Sequence, residues 1–214
     1  MYKESVVSEN SPDLVTLDQI LRGQGLPMPK RRQRFALAFV LASSFLQLLE
    51  SPWLPTSWKK SDIVFFQSDD APSGKFLLDQ PHLNRNRHHP REGHLRGIAT
   101  ENERRKRLAD ALDLLGIVLL ELCFGQLLED QSYRSKYPHL QGMDEDIKAV
   151  LDVAAAKEWH GEIEEEAGYD YAQAVGWCFG GILQTSPDQW RKEMLTKVVR
   201  PLESCHSHLS KRNP

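Results

Sequence analysis

A chain of 214 residues, 40% hydrophobic and 27% charged, has the size and composition of one globular domain, which excludes wholesale disorder. A net charge of −3 excludes a global attraction to nucleic acid or anionic lipid, so any such binding has to be local. The three cysteines, Cys123, Cys178 and Cys205, form no CxxC pair, and the opening MYKESVVSENSPD lacks an apolar signal core; reduced thiols in a cytoplasmic protein are expected.

Residues 1–15 are polar enough to predict a disordered terminus. Thr16 and Gln19 then have the spacing of a capping box and predict a short helix over Leu17 to Arg22, closed by Gly23 and Gly25. The next helix, from about Pro29 to Glu50, has a wide apolar face and stops before Pro52. Arg31, Arg32 and Arg34 crowd its first turns, where the helix dipole disfavours cations, which marks them as a partner-binding candidate beside the simpler reading of a solvated face. Trp53 and Trp58 in SPWLPTSWKK anchor that loop to the core or offer an aromatic platform to a partner.

Asp62 to Phe66 and Lys75 to Leu78 have strand length and composition, and the turn-rich QSDDAPSG between them predicts one small β-hairpin. From Gln80 to Thr100 no hydrophobic period exists. Arg85, Arg87, Arg91 and Arg96, with His82, His88, His89 and His94, make this a basic loop with some capacity for an anion. Glu101 to Arg107 is a charged lead-in to DALDLLGIVLLELCFG, Asp110 to Gly125, whose apolar residues wrap nearly the whole circumference of a helix. Such a helix is the central post of a core; it is too short and too charged to span a bilayer.

Beyond Gly125 the pattern predicts a helix over Ile147 to Glu166 with Val150, Leu151, Ala154, Trp159 and Ile163 on or near one face, and a second over Asp170 to Gln184. A last helix starts near Pro187 and is kinked or interrupted by Pro201 before Leu202 to Leu209, with residues 210–214 fraying. The fold class is mainly α, one helical domain over residues 16–209. No P-loop, GxGxxG, GxSxG, HExxH or zinc-ribbon spacing occurs, so neither an enzyme nor a resident metal or other cofactor is expected.

LGIVLLELCFG, Leu115 to Gly125, resembles the buried F helix of a protein kinase C-lobe. KKSDIVF and KFLLD resemble the end of the catalytic loop and the strand entering the metal-binding D-F-G. The resemblance places Lys59 at the catalytic-loop lysine, Asp62 at the metal-binding asparagine and Asp79 at the D-F-G aspartate, a residual nucleotide or divalent-cation site. Ser57 stands where the catalytic aspartate belongs, Pro55 and Thr56 replace the preceding histidine and arginine, and Gln80 and Pro81 replace the phenylalanine and glycine. Phosphoryl transfer needs base, metal ligands and phosphate clamp together, which implies a degenerate, inactive lobe.

RRQRFALAFVLASSFLQLLESPWLPTSWKKSDIVFF, LLGIVLLELCFGQLLE, EEAGYDYAQAVGWC and WRKEMLTKVVRPLESCHSHL are together similar to a fungal domain-of-unknown-function family that follows HeLo-type or prion-inhibition-and-propagation domains. That resemblance implies a non-catalytic protein-interaction or regulatory domain in fungal non-self recognition or cell-death signalling, with a protein partner. Two alternatives stand beside it: the residual ligand site at Lys59, Asp62 and Asp79, and nucleic-acid binding through the basic loop at 82–96.

Overall fold

A computed structural model of the chain describes residues 14–24, 27–67, 76–84, 100–138, 142 and 144–211. It is mainly α, with one small antiparallel sheet. Strand β1 (Leu14–Thr16) leads directly into α1 (Leu17–Leu21). The predicted capping box is formed: the Gln19 N–H donates to Thr16 Oγ1 at 3.1 Å, and the Thr16 N–H donates to Gln19 Oε1 at 2.9 Å. Helix α2 (Arg31–Leu48) follows, then a 3-10 turn (Lys60–Asp62), strand β2 (Ile63–Phe66) and strand β3 (His82–Leu83).

The sheet differs from the predicted hairpin. Its order is β1-β2-β3, with Val15 opposite Phe65 and Ile63 opposite Leu83. Of the KFLL run, Phe76 makes only an isolated bridge to Gln67 and Lys75 lies outside the described residues. Leu14 and Val15, expected in a disordered terminus, are instead ordered in β1, because Val15 is buried against the core and its strand covers an edge of β2. The rest of that terminus, Met1 to Asp13, lies outside the described residues, as do 212–214 of the expected tail.

Helix α3 (Glu101–Phe124) joins the charged lead-in and the apolar post in one rod. Thr100 and Glu103 form a second capping box, and Gly125, at φ 69°, closes the far end. Leu112, Leu115, Val118, Leu119, Leu120 and Leu122 are fully buried, each contributing about 1.5–3 kcal/mol of burial. At Gly116 a Cβ would lie 2.7 Å from the Phe179 ring, so only glycine permits this approach.

Short α4 (Ser132–Ser135) precedes α5 (Glu145–Trp159), a 3-10 turn (His160–Glu162) and α6 (Ile163–Ala167). The single helix predicted over 147–166 is thus broken by a tightened turn containing Gly161, a poor helix former. Its buried side is Ala155, Ala156, Trp159 and Ile163, whereas Val150 faces outward, because only the later turns of α5 reach the core. Helices α7 (Tyr169–Cys178) and α8 (Gly181–Gln184) replace the continuous helix expected from 170 to 184 and are separated at Gly180, φ 125°.

The last segment is α9 (Trp190–Met194), a π turn (Leu195–Val199) and α10 (Arg200–Lys211). Pro201 sits at the second position of α10, where the wider preceding turn accommodates its ring and missing N–H, so α10 continues through it. Helix α10 packs on α2 and α7, and both of those pack on α3.

Candidate functional site: an open groove between α2, α7 and α10

Three segments distant in sequence line a groove of about 400 Å³: Arg31 and Phe35 from α2, Ala167 to Asp170 at the α6–α7 junction, and Cys205, His208 and Leu209 from α10. That volume lies within the range of ligand and anchor pockets. The α6–α7 junction turns at Gly168, φ 84°, a left-handed conformation that glycine adopts without steric cost. Below the groove, Phe35 packs on Tyr171 with ring centroids 4.8 Å apart, and the buried Tyr171 hydroxyl donates to the Leu119 carbonyl at 2.9 Å. The floor is thereby fastened to the central helix.

Arg31 is the cation of the rim. Its guanidinium lies 5.3 Å from the Phe35 ring centroid, donates to the Glu166 carbonyl and pairs with the Glu166 carboxylate at 3.7 Å. Tyr169 is exposed, and its hydroxyl accepts from Gln173 Nε2. Burial, with the Asp170 charge second, pushes the Cys205 thiol up to about 11, which keeps it a thiol rather than a nucleophilic thiolate at neutral pH. The groove can hold an apolar side chain against Phe35 and Leu209 within a polar rim.

The residues singled out in the sequence fall in several places. Lys59 is exposed, and its backbone N–H donates to Asp62 Oδ2 at 2.8 Å, so the Asp62 carboxylate caps the 3-10 turn that opens β2. Asp79 is exposed, and no hydrogen bond or ion pair among the described residues joins it to Lys59 or Asp62. Trp53 is 62% exposed, while Trp58 is buried, packed edge-to-face with Phe45 at 4.5 Å between ring centroids, its indole N–H donating to the Ala111 carbonyl at 3.1 Å. Trp58 therefore belongs to the core and not to a partner surface, since the indole satisfies its donor inside and ties its loop to the middle of α3.

Arg34, also expected on a partner surface, turns inward. It donates to the carbonyls of Leu122 (2.7 Å), Cys123 (3.2 Å) and Pro29 (3.0 Å), closing the C-terminal end of α3. Desolvation there holds its guanidinium pKa below the usual value. Arg32 stays exposed beside Arg31. Arg85, Arg87 and Arg91, with most of the basic loop, lie outside the described residues, and no cluster of three histidine, cysteine or carboxylate side chains able to hold a metal occurs among the described ones.

Two ionic centres escaped sequence reasoning. Glu121, at 0% exposure, accepts from Lys60 Nζ with both carboxylate oxygens at 2.9 Å and from the Leu128 N–H at 3.2 Å. Burial still raises its carboxyl pKa. Arg134, equally buried, donates to Asp152 at 2.6 Å, and Lys148 reaches the same carboxylate at 2.9 Å. In sequence, Glu121 was visible only as a polar interruption of an apolar run.

A family model described as "Domain of unknown function (DUF7580)" matches residues 4–208. No curated protein and no solved structure matches the chain.

Proposed function

We propose that this chain, which belongs to the DUF7580 family, is a non-catalytic protein-interaction or regulatory domain whose partner enters the groove between α2, α7 and α10. The observation that carries this reading is the composition of that groove: apolar Phe35 and Leu209 inside a rim of Arg31, Tyr169, Asp170 and His208. Buried apolar anchors with a polar rim are how protein interfaces divide affinity from orientation. Among the described residues no helix is long and apolar enough to cross a membrane.

The finer reading places the domain in the cytoplasm of a fungal cell, beside HeLo-type partners in non-self recognition or cell death. It treats the fold as a kinase C-lobe scaffold emptied of its chemistry. The tether from Trp58 to Ala111 supports the scaffold part, because the loop where a kinase keeps its base is fastened to α3 by an indole rather than by an acid. The use of Asp62 as a local cap supports a non-catalytic reading over the residual ligand site.

The test compares the chain with Arg31→Glu and Tyr169→Ser variants. A tagged wild-type chain in fungal cells should retain a partner that both variants lose, with thermal midpoints unchanged within about 2 °C, as for surface substitutions. ATP with magnesium at millimolar concentration should leave the midpoint where it was. A rise corresponding to about 2.7 kcal/mol, expected at 100 times a dissociation constant, would instead favour the residual ligand-binding reading.

A further inference from the structure

Arg31 lines the groove already held by its own chain. Its guanidinium carbon stands 5.3 Å from the Phe35 ring centroid, one amino group donates to the Glu166 carbonyl, and the Glu166 carboxylate lies 3.7 Å away. The rotamer freedom that an arginine loses on binding is here lost within the chain, before any partner arrives. The side chain nevertheless keeps 47% of its surface exposed. A planar group with one face on Phe35 leaves its opposite face to an incoming side chain.

The other lining residues extend that platform. Tyr169 is 60% exposed, and its hydroxyl accepts from Gln173 one turn further along α7, which braces the ring from its own helix. Phe35 and Leu209 supply apolar walls, and a volume of about 400 Å³ stands at the small end of the pockets that enclose a ligand, room for one large side chain rather than for the face of a helix. Aliphatic and aromatic side chains would both satisfy those walls. The fixed guanidinium separates them, because the face of an aromatic ring carries negative potential and a methyl group carries none. The charges of the rim select further: Glu166 answers Arg31, whereas Asp170, exposed on α7, forms no ion pair among the described residues.

We propose, on the reading that the groove is the partner site, that it captures a tryptophan or tyrosine side chain from an exposed segment of a partner protein, the ring stacked on the Arg31 guanidinium and a neighbouring lysine or arginine of that segment on Asp170. Charge complementarity chooses this occupant twice, π face to cation and cation to carboxylate. An aliphatic anchor would leave the outer face of Arg31 without a partner, and an acidic neighbour would be repelled by Asp170.

The probes are N-acetyl-lysyl-tryptophan amide, its lysyl-leucine counterpart and its glutamyl-tryptophan counterpart, each titrated into the full chain and followed by the backbone amide signals of Tyr169, Cys205 and His208. The lysyl-tryptophan probe should bind about tenfold more tightly than the lysyl-leucine one and about threefold more tightly than the glutamyl-tryptophan one. Arg31→Lys keeps the charge but not the planar face, and should abolish the preference for tryptophan over leucine. Asp170→Asn should abolish the preference for lysyl over glutamyl and leave the tryptophan preference in place. Amide signals away from the groove, unchanged in both variants, are the control for folding. Equal binding of the tryptophan and leucine probes, or a tryptophan preference that survives Arg31→Lys, overturns the inference, as does the absence of any shift at the groove with all three probes. The groove's standing as the partner site is read separately, from whether Arg31→Glu and Tyr169→Ser lose the cellular partner.

Discussion

Glu121 is a residue whose loss of its partner should carry a large penalty. A carboxylate held among apolar neighbours in the last turn of α3 has left water entirely, and the Lys60 ammonium on both its oxygens with one backbone N–H is the compensation. Lys60→Met should therefore cost about 3–5 kcal/mol, because it leaves the charge buried and unpaired, whereas Lys60→Met with Glu121→Leu should recover more than half of that loss. Urea unfolding of the two variants measures the difference; equal losses would mean that Glu121 is already neutral without its partner. The sequence shows an acid inside an apolar run but not which cation reaches it, since the partner is 61 positions away and periodicity carries no information across that distance.

At the scale of elements, starts and ends differ in how far they can be read. Thr16 with Gln19 and Thr100 with Glu103 cap helices using groups three residues apart, so both starts follow from local spacing. Several ends are closed from a distance: Arg34 takes the last carbonyls of α3, Arg105 those of Ile182, Leu183 and Thr185 at the end of α8, and Arg191 the Leu49 carbonyl at the end of α2. Orphan carbonyls at a helix C-terminus attract a guanidinium both as acceptors and through the dipole. Arg105→Met keeps the aliphatic stem but strands three acceptors; it should cost about 2 kcal/mol and speed amide exchange across α8 far more than across α3. Exchange that rises uniformly would show that the arginine serves the fold and not that helix end. Gly125 belongs to the same arrangement: besides its positive φ, a Cβ there would sit 2.9 Å from the Arg34 guanidinium.

For the whole molecule, the core and the mainly helical class were legible because α3 announces itself by apolar residues all round. The first and third strands were not, since His82–Leu83 is too short to have a period and Leu14–Thr16 acquires its role only from the edge it covers. The groove was legible only at Arg31, because its other walls come from residues near 169 and 208 that no spacing rule connects to α2. A chain ending at residue 189 loses Trp190, Met194, Val198, Val199 and Leu202 from the core, about 7–15 kcal/mol of burial, comparable to the whole stability of a domain. It should keep far-UV helicity, lose near-UV dichroism and bind ANS; a cooperative thermal transition in that fragment would show that α9 and α10 are an accessory layer.

The Arg191 bond to Leu49 spans 142 positions, so the end of α2 waits for a donor made long after the helix itself. Until residues beyond Trp190 emerge, the end of α2 and the face that α10 covers stay open, and the nascent chain exposes the apolar side of its second helix throughout that interval. The order of synthesis therefore makes this a domain that closes only once its own α9–α10 segment has emerged rather than progressively, and dependence on a chaperone should be concentrated in the interval before that.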